Sequence, residues 1–172
     1  MEKRSFMFRL FQLIGLGLLQ VLILNRINLF GYVTPLFYIW MIIRFDTSMN
    51  RSAVLLWAFF LGLSIDLFSG TPGLNAASAT FITMFQPAIV KLFVQLDRHD
   101  VLIPCSATMG GRSFAGYLLL MITLHHTCYF ILRSIPLGDW TVLVLKIIFS
   151  TLVTFILMIV TESVTMSSGY KR

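Results

Sequence analysis

Six long apolar runs, separated by short polar breaks, leave this chain few ways to fold. They cover residues 6–24, 27–43, 53–69, 72–94, 113–132 and 140–161. A helix needs about 20 mostly apolar residues to cross a bilayer, and each run comes close to that length. The composition agrees: 58% of the residues are apolar and 12% charged, against about 45–50% and about 25% in soluble domains. A soluble globular enzyme, a disordered chain and a disulfide scaffold are excluded. The expectation is an all-α integral membrane protein, a single transmembrane domain over residues 1–172 with six spanning helices. Lys3 and Arg4 precede the first run as in a signal peptide, but the run ends at Asn25-Arg26-Ile27-Asn28 without a small-x-small cleavage site, so a retained first span is expected.

The net charge is +6. In a chain of this kind basic residues set orientation and are no sign of nucleic-acid binding. With the N-terminus inside, Lys3, Arg4, Arg9, Arg44, Arg51, Lys91, Arg98, Arg112, Lys171 and Arg172 fall on the cytoplasmic side, while Arg26 and Arg133 fall outside and Lys146 lies within the sixth span. That asymmetry predicts both termini in the cytoplasm. The longest connection, residues 95–112, is too small for a catalytic domain.

Pro35, after Gly31, interrupts the second run, and Pro87 interrupts the fourth. Each predicts a kink, with residues 89–94 turning out along the cytoplasmic interface. Trp140 and Tyr32 are expected at the outer interface and Trp40 at the inner one, as aromatic anchors. Between the third and fourth runs stands Ser69-Gly70-Thr71-Pro72-Gly73. Gly70 suits a helix C-cap, Thr71 an N-cap and Pro72 a first helical position, so a tight helical hairpin is predicted. The small residues Ala76-Ala77-Ser78-Ala79-Thr80 predict that the fourth helix is central in the bundle.

Asp66 is the one acid deep within a run, about one turn (~6 Å) below the outer end of the third span. An unpaired carboxylate there costs about 2.5–3.5 kcal/mol. Asn75 lies about one turn into the next helix and can donate its amide across the hairpin. His125, His126 and Lys146 belong to the same outer half, with Lys146 free either to snorkel outward or to pair with Asp66. Adjacent histidines point ~100° apart, so at most one of them faces any common centre. Two readings stand side by side: a polar pocket or docking site that opens outward, and a set of structural hydrogen bonds that fix helix register. No ligand spacing for a metal, no cofactor fingerprint and no nucleophile motif occurs, so no metal, cofactor or catalytic residue is expected. An intramembrane hydrolase using Asp66 with His125 or His126 is the least supported class. Glu162, at the cytoplasmic end of the sixth run, is expected to be exposed at the interface. Cys105 and Cys128 are expected on opposite sides of the midplane and unbridged.

The stretch Phe60-Leu61-Gly62-Leu63-Ser64-Ile65-Asp66-Leu67-Phe68-Ser69-Gly70-Thr71-Pro72-Gly73-Leu74-Asn75-Ala76 resembles the signature of the MreD family of rod-shape-determining membrane proteins. Asn25-Arg26-Ile27-Asn28-Leu29-Phe30-Gly31-Tyr32 with Pro35 and Tyr38, and the pair His125-His126, resemble its Bacteroidetes-type branch. Gln86 stands before Pro87 where the family often has an arginine, and the hairpin reads Thr-Pro-Gly-Leu-Asn where other branches have Pro-Leu-Gly-Leu-Asn. The resemblance implies a non-enzymatic scaffold of the cell-elongation machinery in the bacterial cytoplasmic membrane. It would bind MreC and help couple MreB filaments to the peptidoglycan synthase, formed by RodA and a penicillin-binding transpeptidase. Gly62, Asp66, Gly70, Pro72, Gly73 and Asn75 would form its partner-binding or structural hairpin. The resemblance also implies a fold similar to the substrate-binding subunits of energy-coupling-factor vitamin transporters. The alternative reading is therefore a small-molecule-binding subunit of that kind, with Asp66, Asn75, His125, His126 and Lys146 around its outer pocket.

Overall fold

The computed structural model describes residues 2–26, 33–95, 102–134 and 140–169. Seven α-helices occur among them: α1 (Glu2–Leu22), α2 (Trp40–Ile43), α3 (Arg51–Ser69), α4 (Leu74–Phe93), α5 (Ser106–Met109), α6 (Gly111–Ser134) and α7 (Trp140–Gly169). Single 3-10 turns occupy Leu24–Arg26 and Phe37–Ile39, the second running into α2. Five stretches are long and apolar enough to cross a membrane: Phe6–Arg26, Arg51–Ser69, Leu74–Phe93, Gly111–Ser134 and Trp140–Thr165. Large apolar side chains such as Phe8, Phe11, Leu67, Leu92 and Val164 face outward from them, as expected of helices bathed in lipid. The protein thus has the helical, multi-pass character that its apolar runs predict.

The second run departs from expectation. Its described part is helical over seven residues, Phe37–Ile39 and Trp40–Ile43, and residues 27–32 lie outside the described residues. Helix α1 packs on α3, α3 on α4, α4 on α6 and α6 on α7, while the short segment 37–43 touches α1, α4 and α7 from within. Leu36, Tyr38, Ile39, Met41, Ile42, Ile43 and Phe45 are all buried there. Trp40, expected at an interface, is buried as well, stacked on Phe37 with ring centroids 6.1 Å apart.

Pro35 explains the break. It lacks an N–H and pushes the residue before it out of helical geometry. Backbone groups freed this way are tolerated at membrane depth only when the protein itself bonds them. Here α1 and α7 do so. The Gln20 amide donates from Nε2 to the Pro35 carbonyl at 2.9 Å and accepts the Phe37 N–H on Oε1 at 2.9 Å. Ser150 Oγ accepts the Thr34 N–H at 2.9 Å, and Thr154 Oγ1 accepts the Leu36 N–H at 3.3 Å. At the other end Tyr117 donates its hydroxyl to the Ile43 carbonyl at 2.9 Å, and Gln86 Nε2 donates to the Phe45 carbonyl at 3.1 Å.

Pro87 does not divert α4, which continues as one helix to Phe93 with Ile89 and Val90 buried. Residues 89–93 therefore stay in the bundle and do not turn out along an interface. A proline leaves the carbonyl four residues earlier without its donor. That carbonyl belongs to Thr83, and Arg51 donates to it from Nη2 at 2.9 Å, with a second contact to the Met84 carbonyl. Nor is α4 wholly central: Ala76, Ser78 and Ala79 are buried, but Phe81, Met84, Phe85 and Leu92 are exposed.

Glu162 is also corrected. It is buried, not exposed, and pairs with Arg44 at 3.2 Å while accepting from the Ser106 N–H and hydroxyl at 2.8 Å each. One carboxylate within α7 thereby holds the end of α2 and the start of α5.

Removing the Arg51 donor should cost about 1–3 kcal/mol, the penalty for an unmet buried acceptor. We expect Arg51→Leu to lower the thermal-unfolding midpoint of the detergent-solubilised chain. In Arg51→Leu/Pro87→Ala the restored backbone N–H should recover most of the loss.

Candidate functional site: the α3–α4 hairpin and the polar cleft beside it

Helix α3 ends at Ser69 with Gly70 in the left-handed region (φ 65°), its N–H bonded to the Asp66 carbonyl. Helix α4 starts at Leu74, two residues later than the sequence predicts, with Gly73 (φ 79°) as its N-cap residue. These two positive φ values fold the chain back within four residues, a geometry that disfavours any side chain with a Cβ. Pro72 lies in the turn between them.

Thr71 does not cap α4 from its N-terminal side, as the sequence suggests. The cap comes from α3. Asp66 Oδ1 accepts from the Asn75 N–H at 3.0 Å, from Asn75 Nδ2 at 2.9 Å and from the Thr71 hydroxyl at 2.8 Å, and Oδ2 accepts from the Ala76 N–H at 2.9 Å. Four donors meet two oxygens, the complement of an ionised carboxylate. Charge-assisted hydrogen bonds contribute about 1.5–3 kcal/mol each, and the positive end of α4 adds about 0.3–1 kcal/mol. Together they exceed the ~2.5–3.5 kcal/mol insertion cost of the charge.

Gly62 makes that reach possible. It lies one turn before Asp66 on the same face of α3, and a Cβ there would stand 2.5 Å from the Ala76 backbone. The two helices are in backbone contact at this point, which brings the carboxylate to the first turn of α4.

Asp66 also orients a chain of hydrogen bonds into the core. Because a carboxylate only accepts, Asn75 must present Nδ2 to it and Oδ1 to the other side. There Tyr38 donates its hydroxyl to Asn75 Oδ1 at 3.2 Å, and the Tyr38 oxygen lies 2.9 Å from His125 Nε2. Nε2 is then the protonated nitrogen, and Nδ1 of this fully buried ring has no partner among the described residues. His126 points elsewhere, as the ~100° spacing requires. Its Nδ1 donates to the Ile122 carbonyl at 2.9 Å, and Nε2 accepts from Thr154 at 3.3 Å.

Of the polar residues singled out in the sequence, the structure brings Asp66, Asn75 and His125 into one network and sends His126 to α7. Lys146 is half-buried and forms no ion pair with Asp66; the one ion pair among the described residues is Arg44–Glu162. No group of three or more metal-ligating side chains occurs among the described residues, and both cysteines are free. Sequence reasoning missed Gln20, Tyr38, Ser150 and Thr154. Their signal was polarity within apolar runs: Gln20 in the first, Tyr38 in the interrupted second, Ser150 and Thr154 in the sixth.

Beside the hairpin a polar cleft of about 170 Å³ opens at the end of the bundle. Asn25, Ser69, Thr71, Asn75, Tyr129 and Arg133 line it, and Thr34 joins them. Asn25 Nδ2 donates to Ser69 Oγ at 2.6 Å, and Arg133 donates to the Tyr129 hydroxyl at 2.8 Å. No protein-family model, no curated protein and no solved structure matches this chain.

Asp66→Asn places an NH2 against groups that themselves donate. We expect a loss of about 2–3 kcal/mol, read as a lower unfolding midpoint in detergent, with Lys146→Ala within about 0.5 kcal/mol of the parent chain. Gly62→Ala should destabilise at least as much as Asp66→Asn, because the opposing atoms are backbone and cannot rotate away.

Proposed function

We propose that this chain is a non-enzymatic membrane scaffold of the MreD kind. In this reading it lies in the bacterial cytoplasmic membrane with both termini inside, and the buried segment 33–45 serves as the sixth, inward crossing. It binds MreC and helps couple MreB filaments to the synthase of RodA and a penicillin-binding transpeptidase. The observation that carries the reading is how the polar groups are spent. Among the described residues, the buried carboxylates Asp66 and Glu162 are both spent on helix ends, and neither is left free for a substrate. The larger surface left for a partner is apolar. Between α1 and α3 runs a groove of about 620 Å³, lined by Phe6, Leu10, Leu13, Ala53, Leu56 and Phe60. A partner's transmembrane helix would bind there by close packing, since lipid supplies no hydrophobic drive between helices.

A second reading, a small-molecule-binding subunit like those of vitamin transporters, draws on the polar cleft. At about 170 Å³ the cleft is smaller than the ~300–1,000 Å³ of drug-sized ligand sites, which favours the scaffold.

A mild-detergent pull-down from native membranes separates the two. Recovery of MreC and the synthase supports the scaffold, whereas recovery of ATPase subunits with a coupling membrane protein overturns it. Within the scaffold reading, Ala53→Trp fills the groove and should reduce MreC recovery at least fivefold at an unchanged unfolding midpoint. Asp66→Ala and Gly73→Leu should reduce it by loosening the hairpin.

A further inference from the structure

The cleft at the hairpin end keeps donor capacity that its own acceptors do not use. Its side-chain amide oxygens are already engaged: Asn75 Oδ1 by Tyr38, and Asn25 Oδ1 by Gln20 Nε2 at 2.9 Å. Part of its donor capacity is not. The Tyr129 hydroxyl accepts from Arg133 and the Ser69 hydroxyl accepts from Asn25, yet neither proton has a protein acceptor among the described residues. Arg133, itself exposed, uses one nitrogen of its fork on Tyr129 and forms no ion pair among the described residues. A guanidinium and two hydroxyls thus converge on a space of about 170 Å³, enough for about five waters at ~30 Å³ each. Donors with spare capacity around a small space suit a compact group made of acceptors, and a guanidinium favours one that is planar or forked and negatively charged.

We propose that this cleft binds an oxyanion, a phosphate or carboxylate group, with Arg133 as its charged anchor and the Ser69 and Tyr129 hydroxyls as neutral donors. The group is the headgroup phosphate of an anionic lipid or a free anion of the same chemistry; the cleft reads the oxygens, not what they are attached to. Its position at the bundle end, between helices and beside the lipid-facing surface, suits a headgroup whose chains lie along α3 or α6. The inference gives the polar cleft of the second reading a ligand chemistry, and it stands independently of the scaffold reading.

The test uses the full chain, Arg133→Gln, and Arg26→Gln as a control. Arg26 is an exposed cation near the same end that does not line the cleft. In nanodiscs of phosphatidylcholine with phosphatidylglycerol, native mass spectrometry should find phosphatidylglycerol retained on the parent chain and on Arg26→Gln, and about tenfold less on Arg133→Gln. That tenfold matches one charge-assisted contact, about 1.4 kcal/mol. In neutral detergent free of lipid, inorganic phosphate should raise the unfolding midpoint of the parent and of Arg26→Gln but not of Arg133→Gln. An Arg133-dependent effect in the first arm assigns the lipid source, and one in the second assigns the free anion. If neither effect depends on Arg133, or if Arg26→Gln behaves like Arg133→Gln, the proposal is wrong. Retention of a neutral small molecule with no Arg133-dependent effect in either arm would also overturn it while leaving the second reading intact, and the scaffold reading is judged separately by MreC recovery.

Discussion

Backbone N–H and carbonyl groups at membrane depth cost several kcal/mol each unless the protein bonds them, and much of this architecture answers that requirement at one place. Residues 34–45 run partly extended through the centre of the bundle. Their backbone is bonded by side chains from α1, α4, α6 and α7. Gln20 bridges the Pro35 carbonyl and the Phe37 N–H with one amide. An apolar residue at any of these positions would leave a buried group unmet. Polar side chains therefore recur in helices whose outer faces are almost wholly apolar.

The hairpin applies the same rule at a helix end. The first turn of α4 has N–H groups with no partner inside its own helix. Soluble helices usually take a cap from the residue just before the helix. Here that residue is Gly73, which has no side chain, and the cap arrives from Asp66 on the preceding helix. The carboxylate is a charge that the bilayer would exclude and a cap that α4 requires. Close contact at Gly62 lets both conditions be met at once.

What could be read from the sequence followed the range of the forces. Long apolar runs specify lipid-crossing helices by themselves, and Gly70 with Gly73 specifies a tight turn by local backbone geometry. The proximity of Asp66 and Asn75 followed from their places on either side of that turn. Contacts between distant parts of the chain were not legible. Arg51 donating to Thr83, Glu162 joining Arg44 to Ser106, and Tyr38 bridging Asn75 to His125 all depend on helix order and rotation, which spacing along one helix does not encode. The second run misled for a related reason: its hydropathy suits a span, but one proline and a set of remote polar partners stabilise a broken segment instead.

The separation of bonded partners along the chain has a consequence for how the molecule is built. Asp66 reaches its acceptor geometry through residues nine and ten positions away, so the α3–α4 hairpin can close as soon as both helices have entered the bilayer. Thr34 and Leu36 wait for Ser150 and Thr154, more than a hundred residues later. Until α7 is inserted, the interrupted segment has exposed amides and no stable place at membrane depth. Helix α7, synthesised after the other six described helices, therefore completes the centre of the bundle, and a chain truncated before α7 would be a substrate for quality control and not a smaller version of the fold.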